Sequence, residues 1–176
     1  MTFRNLLTLM IAGAVSLWAS AQSGTVGLSA AERLQLLKTN RDLLDDLLDQ
    51  GTRVADANTP LDRAAECQRI TDRLAREYRT ALDRSDADRA GEIGDHLDKI
   101  VSEGFAPNLE IARRDSKRGS PDYERVQAIH RDAVQSLDEL NALPLLDGPL
   151  AKSKRLRLIR EKLAETAAKL GKPDDR

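Results

Sequence analysis

Residues 59–81 read TPLDRAAECQRITDRLAREYRTA, and an apolar residue recurs in them every three or four positions. This spacing places the apolar side chains on one face of an α-helix and most of the charged ones on the other. Thr59 and Pro60 form a helix start signal, because threonine caps exposed amides and proline suits the first turn. The apolar face consists of Ala64, Cys67, Ile70, Leu74, Tyr78 and Ala81. The stretch is therefore predicted to be an amphipathic helix.

Four further segments share this helical period, and strict alternation of apolar and polar residues is absent. The predicted starts are Ser29 for the first helix, the segment 85–88 for the third, Ser120 for the fourth and about residue 150 for the fifth. Each segment has on the order of 20 residues. Short connections between helices of similar length favour an antiparallel arrangement of neighbouring helices. We therefore predict an all-α protein, an antiparallel up-and-down helical bundle of four to five helices.

Glycine and proline interrupt two of the predicted helices. Gly51 falls within the apolar stripe of the first helix, and we expect the helix to continue through it as far as Asn58 because the stripe keeps its phase. That stripe consists of Leu34, Leu37, Leu44, Leu47, Leu48 and Val54. Gly104 and Pro107 follow the third helix, and we expect a kink or a short break there rather than a domain boundary. Residues 113–119 carry no apolar side chain and are predicted to be a solvated loop or a frayed helix end.

The first 21 residues have the three parts of a secretory signal peptide. Arg4 supplies the positive start, residues 6–18 are apolar, and Ala19 and Ala21 are the small residues at a cleavage site. An uncleaved anchor is the alternative, but it would need about 20 continuous apolar residues. Gln22 stands where a lipoprotein would have cysteine. We therefore expect residues 1–21 to be a signal peptide, residues 22–176 to be a single helical domain, and the protein to be exported to the periplasm or the extracellular space.

Composition limits what the exported domain contains. Aromatic residues make up only 3% of the chain, so a core must be built mainly from aliphatic side chains, as in a helical bundle. The single cysteine, Cys67, excludes an intramolecular disulfide. Its place on the apolar face predicts a buried thiol, and an intermolecular bond is the alternative. The balance of 28 basic and 29 acidic residues argues against a general nucleic-acid binder.

Charge is unevenly distributed along the chain. Residues 150–172 carry eight basic and two acidic side chains, whereas residues 22–149 carry 18 basic and 25 acidic ones. The basic C-terminal helix, about residues 150–170, either docks on the acidic body of its own bundle or stays free for an anionic surface. We favour docking, because a leucine-rich stripe exposed to water promotes aggregation. The candidate contacts to an anionic surface are Lys152, Lys154, Arg155, Arg157, Arg160 and Lys162.

No residue pattern indicates catalysis or a tightly bound metal. Asp42, Asp45, Asp46 and Asp49 share one helix face, but this face lies opposite the apolar stripe and is typical of solvated surface. Glu92 and His96 do not make a metal site by themselves, and neither His96 nor His130 has the glutamate three residues earlier that di-iron bundles use. His96 is instead predicted to be a salt-linked surface histidine. Motifs of serine hydrolases, zinc proteases and phosphate-binding loops are absent from the sequence.

Three segments resemble a group of uncharacterised bacterial exported α-helical proteins. These segments are residues 40–43 (NRDL), 62–67 (DRAAEC) and 88–97 (DRAGEIGDHL), which together span the first three predicted helices. The resemblance implies an envelope protein and carries over no catalytic residue. The DRAGE pattern is itself explained by a helix start with small residues at a close packing contact.

The sequence thus favours an exported, non-catalytic helical protein that acts by protein–protein interaction or scaffolding in the cell envelope. Its expected partner is another protein or a second copy of itself. The alternative is association with an anionic membrane or polymer through the basic C-terminal helix. We expect no cofactor, no metal, no specific nucleic acid and no transmembrane span once the signal peptide is removed. An enzyme is the third and weakest hypothesis, with no residues nominated for it.

Overall fold

A computed structural model of the chain describes residues 29–143 and 149–171. Every secondary-structure element in these ranges is a helix, which confirms the predicted all-α class. The chain divides into two compact units, residues 1–56 and residues 57–176, called here the first and the second unit. The predicted signal peptide, residues 1–21, lies outside the described residues. Export therefore stays a prediction.

The described part of the first unit is one helix, α1, over Ala30–Asp56. Gly51 lies inside it, so the predicted continuation through this glycine is confirmed. The helix ends at Asp56, two residues before the predicted end at Asn58.

The second unit begins with α2, Pro60–Asp83, and α3, Ala87–Lys99. The predicted cap of α2 is confirmed: the Thr59 hydroxyl accepts a hydrogen bond from the Asp62 amide and donates one to the Asp62 carboxylate. Asp86 caps α3 by accepting a hydrogen bond from the Arg89 amide. Both caps satisfy amides that a helix start leaves without a partner.

The predicted kink or break near Gly104 and Pro107 is instead a turn of π-helix, Ile100–Phe105, followed directly by α4, Ala106–Asp115. Proline cannot donate the usual helical hydrogen bond, and its ring clashes with the carbonyl four residues earlier. The wider turn admits a bond from the Ala106 amide to the Val101 carbonyl, five residues back. The backbone therefore stays helical past the proline.

The remaining helices are α5, Pro121–Ala142; α6, Pro149–Lys152; and α7, Lys154–Leu170. Ser120 caps α5 as predicted. The fifth predicted helix, about 150–170, is wrong as one continuous element, because Ser153 interrupts it. Ser153 has an extended backbone, and its hydroxyl accepts a hydrogen bond from the Leu156 amide, so it starts a new helix.

The core of the second unit lies among its long helices. α2 packs against α3, the π-helical turn, α4 and α5, while α7 packs against α3 and α5. Aliphatic side chains fill most of this core, as the composition indicates, with Tyr78 and Phe105 as its two buried aromatics. The apolar face predicted for α2 is buried throughout: Ala64, Cys67, Ile70, Leu74, Tyr78 and Ala81.

Candidate functional site

The basic C-terminal helix α7 is docked on the second unit. Its apolar stripe, Leu156, Ile159, Leu163 and Ala167, is buried, with at most 5% of any side chain exposed. The stripe packs where α7 meets α3 and α5. The docking of this helix on its own protein that its leucine-rich stripe predicts is therefore observed.

Two of the six candidate basic residues are engaged by carboxylates of α3. Arg155 donates from Nε and Nη2 to one carboxylate oxygen of Asp95, at 2.8 and 2.6 Å. Lys162 donates to Asp98 at 3.3 Å, and the Asp98 side chain is only 15% exposed. These pairs join the basic helix to an acidic face, so both cations already have anionic partners within the protein.

Two glycines of α3 allow α7 to approach closely. A Cβ atom at Gly94 would lie 2.8 Å from Cγ2 of Ile159, and one at Gly91 would lie 2.8 Å from Cδ of Arg155. Contacts this short do not occur without displacement of the neighbouring atoms. The predicted role of the DRAGE segment, small residues at a close packing contact, is confirmed.

Arg160, a third candidate, lies beside the hydroxyl of buried Tyr78. Burial raises the pKa of this tyrosine, and the nearby guanidinium opposes the increase. The Tyr78 hydroxyl and the Nε and Nη2 atoms of Arg160 are all shielded from solvent, and Arg160 is the side chain placed to donate a hydrogen bond to this hydroxyl.

The other three candidates, Lys152, Lys154 and Arg157, are exposed. No ion pair joins any of them to another residue of the described ranges. Of the six predicted anionic-surface contacts, Arg155 and Lys162 are about half exposed and paired with α3 carboxylates, Arg160 is half-buried, and the other three are exposed without an ion pair in the described ranges.

The leucine face of α1 is the second candidate surface. We define it as Leu34, Leu37, Leu44 and Leu48, which belong to the predicted apolar stripe of this helix. Leu34, Leu37 and Leu48 are 55%, 51% and 52% exposed, and Leu44 is half-buried. Exposure of several large aliphatic side chains on one helix face is typical of an interaction surface.

The acidic cluster of α1 consists of exposed side chains, as predicted: Asp42, Asp45, Asp46 and Asp49. Asp49 pairs with Arg53 at 2.7 Å, while Asp45 lies 3.8 Å from Arg41. No group of three or more potential metal ligands occurs within residues 29–143 and 149–171.

The predictions for His96 and Cys67 have different outcomes. His96 is half-buried rather than a surface residue, and burial and nearby Lys99 lower its pKa. The neighbouring carboxylate of Asp95 is bonded to Arg155. Cys67 is buried as predicted, and burial raises the pKa of its thiol to about 12. A thiol with this pKa is unreactive at neutral pH.

A cleft of about 490 Å³ lies between the π-helical turn and α4 on one side and α5 and the end of α7 on the other. Its polar lining includes Arg113, His130 and Lys169. His130 reaches from α5 to the Leu170 carbonyl at 2.6 Å. The carbonyl only accepts, so Nε2 of His130 is the donor.

The sequence analysis did not identify the α3 carboxylates that pair with the basic helix, nor the residues that line the cleft. Asp95 and Asp98 lie three residues apart beside two glycines, a pattern that indicates an acidic face at a close helix contact. No comparable signal predicts the cleft, because Arg113, His130 and Lys169 come from three different helices.

No model of a known protein family matches this chain, and no curated protein or solved structure shows significant similarity to it. The resemblance to uncharacterised exported proteins therefore stays a prediction. None of the helices in the described ranges combines the length and the apolar character that crossing a membrane requires.

Proposed function

We propose that this chain is an exported helical protein that acts by protein–protein interaction, and that its α1 helix pairs with α1 of a second copy. The observation that carries this proposal is the exposed leucine face of α1. The second unit is a separate folded body. Its four long helical segments, with α3, the π-helical turn and α4 as one of them, are proposed to form the predicted antiparallel bundle.

The leucine face has the spacing of a coiled-coil seam. In its first row, positions 34, 41 and 48 repeat every seven residues, with leucine at both ends and Arg41 in the middle. Leu37 and Leu44 form the second row of the seam, also seven residues apart. Leucine at these positions packs into holes on a facing helix, and a single charged residue in the seam limits the registers that fit.

Charge complementarity favours an antiparallel pair of α1 helices. Lys38 and Arg41 lie before the middle of the leucine face, whereas Asp45 and Asp49 lie after it. In an antiparallel pair with Leu37 opposite Leu48 of the other copy, each Lys38 comes near Asp45 of the other copy. A parallel pair would place the two acidic halves side by side, and like charges at that distance repel.

Gly51 adds a second argument for close helix approach. It lies beyond Leu48 on the same face, and a Cβ atom there would meet nothing within 4 Å. The glycine is therefore not required by packing within the described chain, although it costs a helix about 1 kcal/mol relative to alanine. A second helix lying against this position would account for it.

Sedimentation equilibrium of residues 22–176 tests the pairing. We expect a dimer whose dissociation constant rises at least tenfold in Leu37→Asp and Leu48→Asp. The matched control is Leu158→Asp, since Leu158 is 53% exposed on α7 but lies outside the leucine face. A monomeric native protein, or equal weakening by the control, would contradict the proposal.

Charge exchange separates the antiparallel arrangement from other forms of association. Lys38→Asp and Asp45→Lys should each weaken the dimer, because each sets like charges against one another. The double variant should restore it, since the Lys–Asp pairs are re-formed with their members exchanged. Failure of the double variant to recover would refute the proposed pairing of these two residues.

The proposed export rests on the residue pattern of positions 1–21. Cleavage after Ala21 would leave a chain that begins with Gln22 and lacks Trp18, the sole tryptophan. Intact mass of the protein recovered from a bacterial envelope fraction tests this. Retention of residues 1–21 in that fraction would contradict cleavage.

Association with an anionic surface is the second candidate, and exposed Lys152, Lys154 and Arg157 favour it. Because the apolar stripe of α7 is buried, only charge attracts this helix to a lipid surface, at about 1 kcal/mol per basic residue. Binding to vesicles rich in phosphatidylglycerol should therefore disappear as salt rises. Neutralising these three residues should abolish the binding, and retained binding would exclude this surface.

A further inference from the structure

Gly51 continues the second row of the coiled-coil seam on α1. The seam has two rows of three positions, each seven residues apart: Leu34, Arg41 and Leu48 in the first row, and Leu37, Leu44 and Gly51 in the second. Leucine occupies four of these six positions, and Gly51 is the one seam position without a side chain. A facing helix therefore meets a gap at this end of the seam.

The other glycines of the described ranges each have a structural reason within the chain. Three of them have a side-chain atom of another residue within 3.1 Å of the position of a Cβ atom: Gly91, Gly94 and Gly104. Gly119 has a positive φ of 78°, and Gly171 caps the end of α7. Gly51 has none of these reasons, because nothing lies within 4 Å of its Cβ position and α1 continues past it to Asp56. A contact with a second copy would supply the missing reason.

In the antiparallel register proposed above, every seam position meets another seam position of the second copy. Antiparallel helices bring a first-row residue of one copy opposite a second-row residue of the other. The layers that result are Leu37 with Leu48, Arg41 with Leu44, and Leu34 with Gly51. The gap at Gly51 is thus filled by the side chain of Leu34, which is 55% exposed within one copy.

Other antiparallel registers leave part of the seam without a partner. A shift by one heptad in one direction brings Leu48 opposite Ala30, the first residue of α1. The same shift in the other direction brings Leu34 opposite Asn58, beyond the end of the helix at Asp56. Exposed leucine then remains at an end of each helix, so these registers bury less apolar surface.

A parallel pair of α1 helices fits the same seam poorly. It would set the two copies of Gly51 opposite each other, with no side chain to fill the space between the helices. It would also set the two copies of Arg41 opposite each other, and their like charges repel. The two seam positions that lack leucine therefore both favour the antiparallel pair.

From these observations we infer that Gly51 receives the side chain of Leu34 of the second copy, and that this contact fixes the register of the pair. The inference rests on the proposed pairing of α1, to which it adds the residue that determines specificity. The contact occurs twice, since each copy supplies one leucine and one glycine. It closes both ends of the seam, so a second copy is selected over helices that have no large side chain opposite Gly51.

Exchange of the two residues tests this contact by sedimentation equilibrium of residues 22–176. Leu34→Gly should raise the dissociation constant of the dimer about tenfold or more, because both end layers of the seam then lack a side chain. Adding Gly51→Leu to this variant should restore the constant to within about threefold of the native value. Leucine and glycine again face each other in the double variant, with their positions exchanged.

The double variant Leu37→Gly with Gly51→Leu is the matched control, because it has the same composition as the exchange variant. Leu37 faces Leu48 rather than Gly51, so the added leucine should not restore the affinity that Leu37→Gly removes. Equal recovery of the two double variants, or recovery of neither, would overturn the inference. If Leu37→Asp still weakens the native dimer in that case, α1 pairs in another register and the proposed function stands. A monomeric native protein would refute the pairing and the inference together.

Discussion

Gly94 shows how a single residue sets the distance between two helices. The atoms nearest to its missing Cβ belong to Ile159 and Tyr78. Isoleucine is restricted at χ1, and Tyr78 is completely buried, so neither side chain moves away at low cost. At Gly91 the obstructing atoms belong to the flexible side chain of Arg155, and the same substitution should be tolerated better.

Gly94→Ala is therefore expected to destabilise the second unit. Overpacking costs about 1–3 kcal/mol, and the better helix propensity of alanine returns up to about 1 kcal/mol. Urea unfolding followed by circular dichroism measures the difference. Gly51→Ala is the control, since the added methyl group meets nothing there. Equal midpoints for Gly94→Ala and the native protein would show that α7 does not pack this closely.

His96 gives the stability of the second unit a dependence on pH. Its pKa in the folded state lies below the ordinary value of 6.5, because burial and Lys99 disfavour the charged ring while Asp95 partly opposes them. The unfolded chain then binds more protons than the folded one in the interval between the two pKa values. Stability from this residue is complete above pH 6.5 and is lost as pH falls through the folded pKa.

We expect His96→Gln to remove this part of the pH dependence. The free energy of unfolding of the native protein, relative to that of the variant, should decrease as pH falls from 7.5 to below 6.5. Comparison with the variant is required because half-buried Glu92, whose pKa is raised, contributes with the opposite sign at lower pH. Parallel pH profiles for the two proteins would contradict a depressed pKa for His96.

At the scale of elements, hydrophobic periodicity predicts which face of a helix is buried, but it does not predict where a helix is interrupted. The inward faces of α2 and α7 follow from apolar residues three or four positions apart, and the caps Thr59 and Ser120 follow from their side chains. The π-helical turn and the interruption at Ser153 do not follow from periodicity. Each depends on a local hydrogen bond, from the Ala106 amide to the Val101 carbonyl and from the Leu156 amide to the Ser153 hydroxyl.

Docking of α7 predicts unequal effects for two leucines of the same helix. Leu163 is 1% exposed, whereas Leu158 is 53% exposed. Leu163→Ala should lower the free energy of unfolding by about 2–5 kcal/mol through lost burial and the cavity left behind. Leu158→Ala should change it by less than about 0.5 kcal/mol. Similar thermal midpoints for the two variants would contradict the observed orientation of the helix.

The candidate sites were predictable only in part. Composition and charge identified the six candidate basic residues of the C-terminal segment, but the pairing of Arg155 with Asp95 and of Lys162 with Asp98 depends on the register of α7 against α3. The cleft depends on three helices meeting, which no local pattern encodes. The leucine face of α1 was visible as an apolar stripe, but its exposure depends on tertiary packing.

At the scale of the whole molecule, part of the uneven charge of the sequence is paired within the second unit. The basic helix meets an acidic face of α3, so only part of its charge remains for an external partner. The leucine face of α1, by contrast, lies in the first unit. The proposed pairing of α1 with a second copy and the folding of the second unit therefore involve different residues. Variants of α1 test the pairing, and variants of α3 and α7 test the folding.

Disulfide trapping between two copies tests the proposed antiparallel pairing of α1 most directly. Cysteine would be placed at Lys38 in one protein and at Asp45 in another, both with Cys67→Ala. Mixed under mild oxidation, they should form the 38–45 heterodimer rapidly. Each protein alone should cross-link slowly, because identical positions lie several residues apart along antiparallel helices that rise about 1.5 Å per residue. Rapid 38–38 linkage, or no linkage in the mixture, would contradict the account.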